Sequence, residues 1–415
     1  MISRNELLAV ADATGLSANI VEKDFVLGWL LRGIFQHDAL RDAWIFKGGT
    51  CLKKCYFETY RFSEDLDFTL LHAEHIDDAF LRATFADIAR AIYDEAGLEF
   101  SPDRMRFDIY DNPRGGRSCQ GRLYYRSEFQ SGNNFPAVKL DLTADELIAE
   151  APVSRPVGHP YTDEPDGGIH ALCYPYEEVF AEKLRALGER TRARDLYDVV
   201  HLHRNPGYAP NPQHIRELLA RKCEFKRIPL ITLEIVQAAR DTVIGTWEGM
   251  LRHQLPELPP FAAFWDALPE IFAWLERGVI SSPLAAVPLP VDAEVLRPRF
   301  GGFIGVVANG SILERIRFAA QSRLLVELQY TAADGHSRSP VVEPYSLRRS
   351  RAGDVSLAAH DVAVGHIKTY RVDRIRGVRV LEQPFVPRHA IELGPLSSPM
   401  TVPARASGPR GKSRR

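Results

Sequence analysis

Residues 43–70, AWIFKGGTCLKKCYFETYRFSEDLDFTL, constrain this chain more than any other stretch. They read as a strand at 44–46, a glycine turn Lys47-Gly48-Gly49-Thr50, a short helix at about 51–58 and a second strand at 62–70. Paired glycines let backbone N–H groups approach a ligand closely, and the N-terminus of the helix that follows favours negative charge. On the second strand Ser63, Asp65 and Asp67 are spaced by two and share one face. Two carboxylates on one face beside a phosphate-binding turn can hold a divalent metal between the protein and a triphosphate. That arrangement serves nucleotidyl transfer. Gly-Gly alone or Asp-x-Asp alone would read as an α/β edge with solvated aspartates. Their succession within one supersecondary unit tips the balance to function.

A length of 415 residues suggests two to three domains. The chain is 45% hydrophobic and 26% charged, ordinary for soluble globular protein. Its formal charge of −2 gives no overall pull on nucleic acid. Basic charge gathers instead in the tail, where Arg405, Arg410, Lys412, Arg414 and Arg415 occur with no acid after Glu392. A disordered solubilising end is expected over 394–415, with a phosphate-backbone tether as the alternative. The five cysteines, Cys51, Cys55, Cys119, Cys173 and Cys223, contain no Cys-x-x-Cys, so neither a disulfide framework nor a zinc ribbon is suggested. Reduced thiols in cytoplasm are the natural reading. The N-terminus carries acids and lacks the apolar core of a signal peptide, and no apolar run reaches the roughly 18 residues that span a bilayer. A cytoplasmic protein without a membrane partner is expected.

Residues 4–35 read as two helices around Thr14-Gly15. A DNA-reading helix-turn-helix is discounted, because the second helix is too apolar and its Glu22-Lys23-Asp24 is not a basic face. A helix is expected at 76–96, then strands at 106–110, 121–129 and 137–142. The loop 111–119, with Arg114 and Arg117, is either a mobile solvated hairpin end or a phosphate contact. On the third strand Lys139 and Asp141 share a face. Asp141 is the candidate third carboxylate, to ligate a metal or activate an attacking hydroxyl, with a solvated edge strand as the alternative. Residues 151–173, rich in proline and glycine, read as a loop or lid. A continuous helix over 176–203 would place Lys183, Arg190, Arg194 and Asp198 in one stripe that can point cations at a triphosphate. Asp195 projects elsewhere, where it can orient Arg194. A solvated face with ion pairs is the bland reading of the same stripe. Further helices are expected at 228–250 and 262–277, followed by a proline-rich linker over 281–300.

Five segments in order resemble the AbiEii/MenT type of nucleotidyltransferase toxin. They are Glu22-Lys23-Asp24, Lys47-Gly48-Gly49-Thr50-x-Leu52, Arg61-Phe62-Ser63-Glu64-Asp65-Leu66-Asp67-Phe68, Glu182-Lys183-Leu184-Arg185-Ala186-Leu187 and Arg194-Asp195-Leu196-Tyr197-Asp198. The resemblance covers residues 1–280. It implies an α+β fold with a polymerase-β-like mixed sheet and a helical C-terminal half. It also implies Mg²⁺-dependent transfer of a nucleotide from an NTP to an RNA acceptor, the 3′ end of tRNA in some members, and a cognate antitoxin. On the matching positions it puts Gly48, Gly49 and Ser63 at the triphosphate and Lys183 on phosphate, with the Arg194/Asp198 pair completing the site. Thr50 of the glycine turn, and Arg190 and Arg194 of the helix stripe, are further candidate nucleotide contacts. Asp65 and Asp67 would hold metal, with Asp141 added as a third ligand from its strand spacing, and Asp195 and Asp198 would join Lys183 in the catalytic set.

Residues 301–393 resemble a WYL domain, a small SH3-like β-barrel that often binds nucleotides or nucleic acid. The matching segments are Ile316-Arg317-Phe318-Ala319-Ala320, Val326-Glu327-Leu328-Gln329-Tyr330, Val342-Glu343-Pro344-Tyr345 and Tyr370-Arg371-Val372-Asp373-Arg374-Ile375. The family's Trp-Tyr-Leu is replaced by Val355-Ser356-Leu357, so the two aromatics that would stack on a ligand are absent. Arg348, Arg349, Arg351, Arg371 and Arg374 make the segment basic, so it is read either as a regulatory or RNA-binding module or as a structural appendage. Two other functions stay open: transfer of NMP to a small molecule, and a ligand-sensing regulator built on a degenerate transferase scaffold.

Overall fold

The computed structural model describes residues 2–14, 16–57, 61–130, 135–205, 208, 210–277, 284–288, 293–296 and 310–393. The chain opens with helices α1 (Arg4–Thr14) and α2 (Ala18–Gln36). Val21, Phe25, Val26, Leu27, Trp29, Leu30, Leu31 and Ile34 of α2 are all buried. A helix buried on so many sides belongs inside a domain rather than in a DNA groove.

The first sheet is built from β1 (Trp44–Lys47), β2 (Asp65–Leu70), β3 (Arg106–Asp111), β4 (Arg117–Tyr124), β5 (Ala137–Thr143), β6 (Val153–Val157) and β7 (Ile169–Cys173), in the order β3-β4-β5-β2-β1-β7-β6. Pairs β2–β5 and β1–β7 are parallel and the rest antiparallel. Register sorts the side chains. Trp44, Phe46, Leu66, Phe68, Leu140 and Leu142 are buried on one face. Helix α3 (Gly48–Cys51) runs into a π turn at Leu52–Tyr56, and α4 (Asp78–Ala96) packs Phe85 against Trp44 and Phe107 on the apolar face. The opposite face carries Lys47, Asp65, Asp67 and Asp141. The strands β6 and β7 occupy the stretch expected as a loop, because the alternation in 169–173 pairs it with β1. The hairpin end at 111–119 is pinned: Arg114 donates to Asp145 Oδ2 and to the carbonyls of Asp145 and Phe225.

A helical layer follows: α5 (Tyr176–Arg190), α6 (Ala193–His203), α7 (Pro212–Lys226), α8 (Leu233–Ala238), α9 (Arg240–Leu251), α10 (Phe261–Trp265) and α11 (Leu268–Arg277). The expected helix over 176–203 is two helices. Thr191 takes a left-handed conformation at φ 50° and its N–H caps α5 on the Leu187 carbonyl. The expected helices at 228–250 and 262–277 are likewise each divided.

The C-terminal part is a curled antiparallel half-barrel of β8 (Ala293–Val295), β9 (Leu324–Thr331), β10 (Ser337–Arg338), β11 (Val341–Ser350), β12 (Val355–Asp361), β13 (His366–Arg371) and β14 (Ile375–Pro384), with α12 (Gly310–Ser322) packed on it. Strand β8 lies within the stretch read as linker and pairs with β11. The rest of that linker is described only at 284–288 and 296, and the basic tail 394–415 lies outside the described residues. No helix among the described residues is long and apolar enough to cross a membrane.

Glu22-Lys23-Asp24 acts as a clamp. Glu22 accepts from Ser127 Oγ at 2.7 Å and the Glu128 N–H at 2.6 Å, and Lys23 pairs with Glu64 at 2.7 Å. The buried Lys54 ammonium reaches Asp24 Oδ2 at 2.7 Å, the Asp24 carbonyl at 2.9 Å and the Gly158 carbonyl at 3.1 Å. Burial opposes the Asp24 carboxylate, but Lys54 and Lys53 hold its pKa below the usual value. Asp24→Ala leaves a buried ammonium without its counter-ion, and chemical denaturation at pH 7 should show a loss of about 3–5 kcal/mol. The contribution of Asp24 is present above its unfolded pKa and disappears as pH falls through the lower folded value, so wild type and variant should converge in acid. A loss under about 1 kcal/mol at pH 7 would contradict a buried pair.

Candidate functional site

The site forms where β1 meets α3. The strand ends at Lys47 and the helix begins at once, so the two glycines occupy its first turn rather than a separate loop. Gly48 has φ +82°, and a Cβ there would lie 2.1 Å from Asp67 Oδ2. A Cβ on Gly49 would lie 2.6 Å from Arg61 Nη2 and 3.0 Å from Ser63 Oγ. Absent side chains therefore let Asp67, Arg61 and Ser63 close over the strand end. Thr50, expected at the nucleotide, is turned away: its hydroxyl donates to the Asp65 carbonyl at 2.5 Å and it does not line the cavity.

Asp65, Asp67 and Asp141 line one cavity of about 260 Å³ with Gly48, Gly49 and Ser63. Asp67 stands opposite Lys47 on β1 and beside Asp141 on the parallel strand β5. The strand adjacency expected of Asp141 is thus present. Burial first, and the neighbouring Asp141 second, push the Asp67 carboxyl up to about 6. Burial and Asp65 raise Asp141 as well. Among the described residues, only Cys51, Cys55 and Cys173 form a group of three potential ligand atoms within 4.8 Å of one another. The aspartates share the cavity without all three meeting at a single point.

Cations face them from the helices. Lys183 Nζ lies 2.7 Å from Asp198 Oδ2 and 3.7 Å from Asp195 Oδ1, and Arg190 Nη2 lies 3.2 Å from Asp195 Oδ1. The break at Thr191 removes the continuous stripe expected of Lys183, Arg190, Arg194 and Asp198. The cations still converge on the cavity, because the end of α5 and the start of α6 both open onto it, with Arg192 and Arg194 also in the lining. Asp195 does not project away as expected. It is buried and lines the cavity, while Arg194 pairs with no carboxylate among the described residues. Asp198 is fully buried behind the cavity and is not the partner of Arg194.

The partner of Asp198 is Arg61, a residue the motif reading quoted without giving it a role. Arg61 Nε and Nη2 reach the two Asp198 oxygens at 2.7 and 2.8 Å, and Nη1 reaches Gln254 Oε1 at 3.0 Å. Burial opposes the Asp198 carboxylate, but Arg61 and Lys183 hold it well below the usual range. The signal was available in principle: an acid in an otherwise apolar helix face, Leu196 to Leu202, needs a buried counter-ion. Lys47, Glu146, Glu182 and Arg185 were also missed. They line the same cavity, where Lys47 Nζ is 3.7 Å from both Glu146 and Glu182.

The donor set suits a hard divalent cation. All candidate ligands are carboxylate oxygens, and the ionised form of Asp67 is disfavoured first by burial and then by Asp141, both of which a bound cation would offset. Glu146 Oε1 and Asp195 Oδ2 are buried with no hydrogen-bond partner, as acceptors awaiting a ligand or solvent would be. In the half-barrel, by contrast, Arg348 pairs with Glu392 and Arg371 with Asp354 and Asp373, so much of the basic character read there is neutralised.

Residues 29–273 match the family model of the nucleotidyl transferase AbiEii toxin, type IV toxin–antitoxin system, and residues 311–380 match the WYL domain. No curated protein matches. The chain is similar in structure to MenT4, a nucleotidyltransferase toxin from Mycobacterium tuberculosis H37Rv, at 20% identity and TM-score 0.45, covering 68% of this chain and 91% of that one. It is also similar to a nucleotidyltransferase-like protein of H. pylori at 17% identity and TM-score 0.36, covering 64% and 100% respectively. A third likeness, to proteasome accessory factor B/C of Arthrobacter aurescens, has 13% identity and TM-score 0.18 and covers 75% and 27%.

The raised pKa of Asp67 has a stability consequence with a definite sign. A group whose folded pKa lies above its unfolded value contributes stability below the unfolded pKa of 3.8 and loses it as pH rises through about 6. In metal-free protein at pH 7.5 Asp67→Asn should therefore be more stable than wild type, by about 1–2 kcal/mol. The advantage should vanish near pH 4. Thermal denaturation with a chelator present checks this, and a destabilised variant at pH 7.5 would contradict it.

Proposed function

The chain belongs to the AbiEii nucleotidyltransferase toxin family, and we propose that this nucleotidyltransferase moves NMP from an NTP to an RNA acceptor, the 3′ end of tRNA, as the cytoplasmic toxin of a toxin–antitoxin or abortive-infection system. The observation that carries the reading is the opposition, across one cavity, of a row of aspartates on the sheet and a set of cations on the helix ends.

Asp65 and Asp67 are the residues to hold Mg²⁺, with Asp141 beside them. When bound, the ion would neutralise charge on the phosphate oxygens and favour the ionised acceptor hydroxyl. The remaining work falls to the chain. Gly48 and Gly49 leave room for phosphate against the backbone. Lys183 supplies a point charge held in place by Asp198, and Arg190, Arg192 and Arg194 grip the triphosphate oxygens. Asp141 accepts the proton of the attacking hydroxyl. The bond from that oxygen to the α-phosphorus forms as the bond to the β-phosphate bridging oxygen breaks, and pyrophosphate leaves. The cognate antitoxin would act on this protein or its expression.

Asp65→Asn and Asp67→Asn should each abolish labelling of an RNA acceptor by α-labelled NTP while circular dichroism stays unchanged. Full activity in both would remove the assignment. Incubating wild type with total RNA in one arm and small hydroxylated acceptors in the other separates RNA from small-molecule transfer. Label found only on small molecules would overturn the RNA reading while leaving the transferase intact.

A further inference from the structure

Cys51, Cys55 and Cys173 are fully buried, and their sulfur atoms lie within 4.8 Å of one another. They stand apart from the aspartate row, although Cys173 immediately precedes Tyr174 in the cavity wall. The π turn brings them together. Its wide winding, closed by the Phe57 N–H on the Leu52 carbonyl at 2.8 Å, turns positions four apart nearly into line, so Cys51 and Cys55 share a side. Lys54, between them in sequence, points to Asp24 instead. Cys173 comes from the end of β7, opposite Phe46 of β1, with its sulfur 3.6 Å from that of Cys55.

Buried cysteines commonly serve as small apolar residues. Two features here go beyond that. The three sulfurs face each other rather than separate apolar neighbours. The surroundings are also cationic: Arg155 donates to the Cys55 carbonyl at 3.3 Å and lies over the Tyr56 ring at 4.7 Å. Burial pushes the Cys51 and Cys173 thiols up. Burial works against the Cys55 thiolate too, yet hydrogen bonds from Cys173 and Cys51, with Arg155 and Lys54 nearby, hold its pKa below the ordinary value.

We propose that Cys51, Cys55 and Cys173 form an all-sulfur, three-coordinate site for a soft metal ion, and that Cu(I) is the ion it fits. Metal–sulfur bonds of about 2.3 Å in a trigonal arrangement separate the sulfurs by about 4 Å, inside the spread found here. No fourth Cys, His, Asp or Glu joins the group among the described residues. Thiolates bind Zn(II) as well as Cu(I), but Zn(II) takes four ligands in structural sites, so a set of three sulfurs leaves zinc one ligand short and suits the soft monovalent ion. Each sulfur that binds releases its proton to solvent as the metal–sulfur bond forms, and the copper stays monovalent throughout. A loaded site would tie the helix after Gly48-Gly49 to β7.

The full chain, reduced and anaerobic, is titrated with Cu(I) against a competing chelator, with Zn(II) in a parallel series. The expected result is one Cu(I) retained per chain by native mass spectrometry, three sulfur neighbours by X-ray absorption, a raised thermal midpoint, and weaker retention of Zn(II). The bound ion should be lost in Cys55→Ala and Cys173→Ala and kept in a Cys119→Ser/Cys223→Ser double variant. Failure of wild type to retain Cu(I), fewer than three sulfur neighbours, tighter retention of Zn(II), or undiminished retention in a folded Cys55→Ala protein would each overturn the site. If the alanine variants do not fold, the wild-type sulfur count decides.

Discussion

The buried fork between Arg61 and Asp198 holds the two halves of the transferase fold in register. Arg61 leads into β2, which carries Asp65 and Asp67, while Asp198 lies in α6, on the helical layer. Asp198 also holds Lys183 of α5. One carboxylate with no exposed surface thus fixes a cation at the strand entrance and a cation of the cavity. Taking such charges out of water is costly, and the geometry offsets that cost only because Arg61 binds both oxygens and its remaining nitrogen finds Gln254. The pair contributes little as raw stability. Its effect is to specify where the sheet face and the helix ends stand relative to each other.

Charge within the cavity is partly sorted by secondary structure. Asp65, Asp67 and Asp141 come from a row of strand positions, and Lys183, Arg190, Arg192 and Arg194 come from α5, the start of α6 and the turn between. Lys47 on β1 and the helix acids Glu182 and Asp195 break the pattern. On the proposed function, a phosphate chain placed between the two sets would be drawn to the cations and its metal to the acids. The free protein keeps these groups from collapsing onto each other by internal pairing, with Lys183 on Asp198, Arg190 on Asp195, and Lys47 between Glu146 and Glu182. The Asp67 carboxyl is raised to about 6 first by its burial and then by Asp141, which Lys47 and Lys183 only partly offset.

Much of this was legible in the sequence because it depends on spacing alone. A strand forces Asp65 and Asp67 to one face, and a glycine pair before a helix permits their close approach. The place of Asp141 required strand order, which alternation within one strand does not contain, yet the parallel pairing put it beside Asp67. What could not be read was set by tertiary contacts. Thr191 has no propensity for the left-handed region, so the break between α5 and α6 left no local mark. Arg61 lies 137 positions from Asp198, and nothing in either segment names the other. The strands β6 and β7 were hidden by the prolines and glycines of the turn between them.

The register of β2 against β5 also bears on how faithfully the chain assembles. Side chains alternate along β5, with Val138, Leu140 and Leu142 inward and Lys139 and Asp141 outward. A slip by one residue would turn Lys139 and Asp141 into the apolar layer and expose the three aliphatic residues to water. The charged row therefore acts as a proofreader during folding. The same residues that make the finished surface electrostatically tense make the nearest misassembled sheet too unfavourable to persist.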